Sequence, residues 1–175
     1  MCIRDRTDTV DYSSATNTVS LIISPAPLTV TAANANRTFG QANPIFTGTI
    51  TGVTNDDNIA AVYNCSANTG SPVGIYPIVP SLTDPNNRET NYTVSLLDGT
   101  LTVSQAFVAI IWTNPAPIIY GTSLTSNQLN ATASVPGSFA YSPTNGAVLN
   151  AGTNALSVIF TPTDAVDFSL SLIHI

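Results

Sequence analysis

Short runs of alternating apolar and polar residues recur along the chain, separated by clusters of Asn, Asp, Gly and Pro. The alternation is clearest at residues 28–32 and 46–51, and residues 59–65 are more continuously apolar. A two-residue period over four to eight positions indicates a strand with one buried face, and the clusters indicate turns. Because the strands are short and the turns frequent, the pattern predicts an all-β fold.

Further strands are predicted at 92–96, 101–103, 108–112, 129–134, 138–141 and 155–161. Asp98-Gly99 lies between two of these runs and predicts a tight hairpin, because this pair readily adopts the left-handed conformations of a type I′ turn. Residues 54–58 and 84–88 have the composition of turns. A helical turn is an alternative only at 58–63.

One seven-residue motif occurs twice. Residues 7–13 read Thr-Asp-Thr-Val-Asp-Tyr-Ser and residues 163–169 read Thr-Asp-Ala-Val-Asp-Phe-Ser, with five of seven positions identical. The first copy leads into an apolar run that predicts the closing strand of a module. We therefore divide the chain into the C-terminal strand of a preceding module (7–24), a complete middle module (25–104) and a module truncated before its last strand (105–169).

The two ends of the chain, residues 1–6 and 170–175, differ in character from the sequence between them. One reading of the codons for the first six residues has a reverse complement that encodes Leu-Ser-Leu-Ile-His-Ile, the last six. Both ends resemble translated transposon adapter sequence from a metagenomic sequencing library. Such segments are excluded from fold reasoning.

The region between these ends has few charged side chains, and most of them are acidic. Arg37 and Arg88 are its only cations, against nine carboxylates, which gives a net charge of −7. A chain with so few cations cannot neutralise phosphates, so nucleic acid and anionic membrane surfaces are poor partners. Its least polar stretch, 106–112, is far shorter than the roughly 20 residues of a membrane-spanning helix.

General acid–base and nucleophilic catalysis need a positioned base, and since the region has neither His nor Lys we expect no enzymatic activity.

Five segments of the middle module carry a family resemblance. They are Leu28-Thr29-Val30-Thr31-Ala32, Arg37-Thr38-Phe39-Gly40-Gln41-Ala42-Asn43-Pro44, Pro72-Val73-Gly74-Ile75-Tyr76-Pro77-Ile78, Asn91-Tyr92 and Gly99-Thr100-Leu101-Thr102-Val103. Together they resemble the MBG repeat, a small module with β-grasp-like topology found in tandem in large bacterial adhesin-like surface proteins. Phe39-Gly40 stands where that family usually has Tyr-Gly.

The flanking segments are similar to bacterial immunoglobulin-like repeats. The similarity is carried by Ile111-Trp112-Thr113-Asn114-Pro115, Ile118-Ile119-Tyr120-Gly121-Thr122, Leu129-Asn130-Ala131-Thr132-Ala133, Gly146-Ala147-Val148-Leu149-Asn150-Ala151-Gly152 and Phe160-Thr161-Pro162-Thr163-Asp164. The two resemblances imply an antiparallel immunoglobulin-like sandwich beside a β-grasp-like sheet. They also imply an extracellular or cell-surface bacterial protein whose partners are neighbouring repeats of the same chain, with no catalytic activity attached.

Two groups of side chains are candidates for ligand binding. Asp8 and Asp11, repeated as Asp164 and Asp167, are candidate calcium ligands at a module junction, because carboxylate oxygens suit hard cations. The alternative is that these Asp side chains cap turns. Tyr63, Tyr76 and Tyr92 are candidates for stacking on a carbohydrate, whereas Trp112, Tyr12 and Phe168 are expected to pack inside their modules. No catalytic or cofactor-binding residue is predicted.

Three functions are compatible with this sequence. The leading hypothesis is a structural spacer, in which repeated modules provide reach and each contacts only its neighbours. The second is a binding module for a host or matrix carbohydrate or protein. The third is an accessory region of a secreted hydrolase.

Overall fold

The computed structural model describes residues 17–174, with side chains described as far as Leu170. Within this range the protein is all-β, with twelve strands and a single turn of 3-10 helix at Glu89–Asn91. The predicted all-β class is therefore confirmed. Among these residues, no helix has the length and hydropathy needed to cross a membrane.

The middle module consists of two sheets that pack against each other. Its strands are β1 (Ala26–Ala32), β2 (Ala35–Thr38), β3 (Gly48–Thr51), β4 (Ala60–Cys65), β5 (Gly74–Thr83), β6 (Tyr92–Leu97) and β7 (Gly99–Ser104). One sheet has the order β3-β1-β6 and the other β2-β7-β5-β4. Leu28, Val30, Ile78 and Leu101 are fully buried. They occupy alternate positions of their strands, as a two-residue period requires.

The Asp98-Gly99 hairpin prediction is wrong. Strand β6 pairs in parallel with β1, whereas β7 pairs in parallel with β2 and antiparallel with β5, so the two strands belong to different sheets. Gly99 is buried, and a Cβ there would lie 2.6 Å from the Ala33 carbonyl oxygen. The glycine is required for close approach of two backbones rather than for a hairpin turn.

The helical turn considered at 58–63 is not formed. Ala60–Cys65 is instead an edge strand, with Ala60 opposite Thr83 and Cys65 opposite Ile78 on β5. The turn predicted just before it is present, since Asn55 and Asp56 both have positive φ. Asn and Asp tolerate this conformation better than other non-glycine residues.

Residues 105–174 form the second described unit, which we call the C-terminal module. Its strands are β8 (Ile110–Ile111), β9 (Thr132–Ala133), β10 (Gly137–Ser142), β11 (Ser157–Pro162) and β12 (Ser171–His174). Strands β10-β11-β12 form one antiparallel sheet and β8-β9 a two-stranded one. Trp112 is half-buried against Tyr141, with ring centroids 5.3 Å apart, and its indole N–H donates to the Gln128 carbonyl oxygen at 3.0 Å.

Ser171–His174 therefore follows the second copy of the repeated motif as a strand paired with β11. If residues 170–175 are adapter sequence, this strand is not the protein's own and the natural closing strand is missing. That interpretation stays a prediction. The counterpart of this strand after the first copy, residues 17–23, has no strand pairing, and Val19, Leu21, Ile22 and Ile23 are between 84% and 91% exposed. The assignment of residues 7–24 to the closing strand of a preceding module stays a prediction.

Candidate functional site at the module junction

The second copy of the repeated motif forms a tight turn after β11, which we call the corner (residues 163–169). The Asp164 carboxylate accepts hydrogen bonds from the backbone N–H groups of Val166 and Asp167, both at 3.1 Å. The N–H of Phe168 donates to the Asp164 carbonyl oxygen at 3.3 Å. An Asp side chain that binds the backbone two or three residues on is an Asx turn, so the motif itself fixes this local geometry.

The corner also holds the first residues of the C-terminal module. Ala106 lies beside Phe168 in a parallel bridge, where its N–H donates to the Asp167 carbonyl oxygen at 2.9 Å and its carbonyl oxygen accepts from Ser169 at 3.0 Å. The Gln105 side-chain amide donates to the Ala165 carbonyl oxygen at 2.9 Å. Because Gln105 directly follows the last residue of β7, the two modules are joined without a free linker.

Two side chains of the corner reach across to the middle module. The Asp167 carboxylate, in a residue only 7% exposed, accepts a 2.6 Å hydrogen bond from the Val73 N–H. Phe168 packs edge-to-face on Phe39, with ring centroids 5.4 Å apart and planes at 82°. Hydrogen bonds to a carboxylate are stronger than neutral ones, and edge-to-face aromatic pairs are directional. The junction therefore has both attraction and a defined geometry.

Phe39 is presented by a turn over residues 38–41. The Gln41 N–H donates to the Thr38 carbonyl oxygen at 3.2 Å, and Gly40 between them has φ +81°, as a type II turn requires of its third residue. We call Phe39 in this turn and the Val73 N–H the socket of the middle module. The corner of the C-terminal module occupies that socket.

The socket is braced by Arg37, which is 7% exposed. Its guanidinium donates to the Asn43 side-chain oxygen at 2.8 Å, to the Thr38 carbonyl oxygen at 3.2 Å and to the Asn68 carbonyl oxygen. Asn43 in turn donates to the Ala67 carbonyl oxygen at 2.6 Å. Buried cations need their donors satisfied, and here the planar fork ties the aromatic turn to the loop at 67–68.

Residues 28–102 match the family model of the MBG domain (YGX type). This segment is an MBG-type repeat. The match lies within the middle module and confirms the resemblance read from its sequence, whereas the immunoglobulin-like resemblance of the flanking segments stays a prediction. MBG repeats are typical of extracellular surface proteins. No curated protein and no solved structure gives a significant match to the chain.

The calcium hypothesis stays a prediction, and the structure shows what Asp164 and Asp167 bind within the protein. Asp164 caps its own turn, and Asp167 binds the Val73 N–H of the MBG-type repeat, so both carboxylates serve as acceptors for backbone donors. Among the side chains that the structure describes, residues 17–170, no three His, Cys, Asp or Glu are grouped as a metal site would need. Asp8 and Asp11 lie outside the described residues.

The candidate carbohydrate-stacking tyrosines do not form a shared exposed surface in the MBG-type repeat. Tyr92 is 7% exposed, and its hydroxyl lies 2.8 Å from an Asp57 carboxylate oxygen and 3.0 Å from both the N–H and the carbonyl oxygen of Thr54. Tyr63 is half-buried in the core cluster that contains Ile78, and the Tyr76 hydroxyl donates to the Pro72 carbonyl oxygen at 2.8 Å. All three side chains are therefore engaged within the repeat.

The junction corrects the expected role of Phe168 and reveals residues that the sequence analysis missed. Phe168 packs on a ring of the neighbouring module rather than only inside its own. Its partner Phe39 and the amide of Val73 were noted only as parts of the family motif. A signal for the corner was present in residue type: Thr83-Asp84 and Asn91-Tyr92 in the MBG-type repeat resemble Thr163-Asp164 and Asp167-Phe168. The spacing differs, since Asp84 lies eight residues before Tyr92 and Asp164 four residues before Phe168.

Proposed function

We propose that this region is a non-catalytic structural spacer in an exported bacterial surface or adhesin-like protein. The observation that carries the proposal is the junction, where Asp167 binds Val73, Phe168 packs on Phe39 and the connecting residues are held by the corner. When each module contacts only its sequence neighbours and does so in a fixed orientation, the length of the protein increases with the number of repeats. A rigid junction is therefore the property that a spacer needs.

The family match supports the proposed location, since MBG repeats are typical of extracellular surface proteins. A carbohydrate- or protein-binding module and an accessory region of a secreted hydrolase remain the competing functions. The engagement of Tyr63, Tyr76 and Tyr92 inside the MBG-type repeat gives neither of them specific support. A glycan array probed with the chain should show no binding if the spacer proposal is right.

The experiment that tests the proposal is backbone 15N relaxation of the whole chain, with Ile78 and Val158 as buried reporters in the two modules. We expect one rotational correlation time for both modules. The double variant Asp167→Ala, Phe168→Ala should give each module its own shorter correlation time, because both side-chain contacts across the junction are lost.

The matched control is Val166→Ala, which alters a 63% exposed side chain of the same corner and should leave a single correlation time. Independent tumbling of the two modules in the unmodified chain would refute the rigid-spacer proposal. A double variant that still tumbles as one body would refute the assignment of that rigidity to the contacts of Asp167 and Phe168.

A further inference from the structure

The C-terminal module has an open groove of about 780 Å³ on its surface. Its walls come from the turn at 119–122, which contributes Tyr120, and from the loop at 150–156, which contributes Thr153. Tyr120 is 71% exposed and the adjacent Ile119 is 83% exposed. Large apolar side chains grouped at a groove are typical of interaction surfaces.

One wall of this groove reproduces the turn that presents Phe39. The Thr122 N–H donates to the Ile119 carbonyl oxygen at 3.0 Å, and Gly121 has φ +93°. In the MBG-type repeat the same hydrogen bond spans residues 38–41, with Gly40 at φ +81°. Both turns thus place an aromatic residue immediately before a glycine that must adopt positive φ. Tyr120 is the counterpart of Phe39.

The other wall reproduces the position of Val73. Val73 lies 11 residues before Asp84, and Thr153 lies 11 residues before Asp164. Val73 directly precedes β5, and Thr153 lies four positions before the start of β11. Each strand has a neighbour on both sides and leads into a Thr-Asp turn. Thr153 is therefore the counterpart of the residue whose N–H binds Asp167.

The two modules also share the way in which their first residues meet their corners. Ala26 pairs in parallel with Tyr92, and Ala106 pairs in parallel with Phe168. The correspondence of Tyr120 and Thr153 with the filled socket is thus part of a common arrangement of the two modules. In one module the socket is occupied by the next corner, and in the other it is open.

We propose that the groove at Tyr120 and Thr153 is a second socket, which takes the Asp-aromatic corner of an adjoining repeat. The carboxylate of that corner accepts the Thr153 N–H, and its aromatic ring packs edge-to-face on Tyr120, as Asp167 and Phe168 do on Val73 and Phe39. This inference rests on the proposed spacer function and names the partner that continues the spacer beyond the C-terminal module.

The test uses the whole chain with residues 105–175 repeated once after Ile175. The connection is one residue longer than the existing one, because Ile175 follows the end of β12 at His174, whereas Gln105 directly follows the end of β7 at Ser104. With labelled aromatic rings, we expect a nuclear Overhauser effect between Tyr120 and Phe168 of the added repeat. The Phe39–Phe168 contact of the existing junction provides the internal reference.

The two contacts separate the two proposals. Both effects together support the second socket. A second outcome is that only the Phe39–Phe168 effect is seen, while the Trp112 indole N–H signal shows that the added repeat is folded. That outcome overturns the second socket and leaves the spacer proposal intact. Loss of the reference effect in the unmodified chain overturns both. Tyr120→Ala should remove only the new effect, and Ile45→Ala, a 92% exposed control outside the groove, should preserve both.

Discussion

The MBG-type repeat and the C-terminal module each contain a Thr-Asp turn that ends in an aromatic residue, but the two aromatic residues differ in their partners. In both turns the Asp side chain accepts a backbone N–H, that of Glu89 for Asp84 and those of Val166 and Asp167 for Asp164. Tyr92 then packs with Leu28 and Ile59 inside its own repeat. Phe168 packs on a ring of the neighbouring repeat.

The chemical difference between the two rings agrees with these positions. Tyr92 carries a hydroxyl that is hydrogen-bonded beside Asp57 and Thr54, as a buried polar atom must be. Phe168 has no polar atom, so its contact with Phe39 leaves no hydroxyl unsatisfied. A Thr-Asp turn followed by an aromatic residue thus stabilises a module from within in one case and joins two modules in the other.

The largest effect in this comparison is expected from Tyr92→Ala. Removal of a buried aromatic ring leaves a cavity, and we expect a loss of about 3–5 kcal/mol in the free energy of unfolding of the MBG-type repeat. A urea titration followed at the Ile78 amide measures it, while the Val158 amide reports the C-terminal module and should change little. A loss below about 1 kcal/mol at Ile78 would show that Tyr92 is not a core residue.

A smaller effect is expected from Tyr92→Phe, which keeps the ring and removes the hydroxyl. The Asp57 and Thr54 groups lose a partner in a part-buried site, so we expect a loss of about 1–3 kcal/mol. Tyr76→Phe is the matched control, because its hydroxyl is bonded to Pro72 at an exposed site and its loss should cost under about 0.5 kcal/mol. Equal losses in both variants would contradict the role assigned to the Tyr92 hydroxyl.

Much of this fold could be predicted from local sequence. Alternation located strands such as β1 and β11, and turn composition located the positive-φ residues Asn55 and Asp56. The Asp98-Gly99 prediction failed because a turn-forming pair between two strands does not say which sheet each strand joins. That choice depends on burial of both flanking strands and on the close contact of Gly99 with Ala33.

The contacts at the junction were harder to predict from the sequence than the strands were. The turn made by Asp164 follows from residues two and three positions away, so local pattern can indicate it. The partner of Asp167 is 94 residues distant, and no local pattern links that carboxylate to the N–H of Val73. A carboxylate repeated at a module boundary predicts that something is bound there, but a metal ion and a backbone amide satisfy the same lone pairs. Only the position of the neighbouring module shows that the Val73 N–H lies within hydrogen-bond distance of Asp167.

The smallest expected effect is that of Phe168→Tyr, which gives the corner of the C-terminal module the residue type found in the first copy of the motif, Tyr12. Phe168 is only half-buried, so a hydroxyl can reach solvent while the ring keeps its contact with Phe39. We expect a change under about 0.5 kcal/mol at the Val158 amide and an unchanged Phe39–Phe168 nuclear Overhauser effect. If the substitution instead broke that contact, the Phe39 ring would accept only a hydroxyl-free partner. A motif with Tyr at this position, as in the first copy, would then need a different kind of socket, and the correspondence between the two copies would be confined to their sequence.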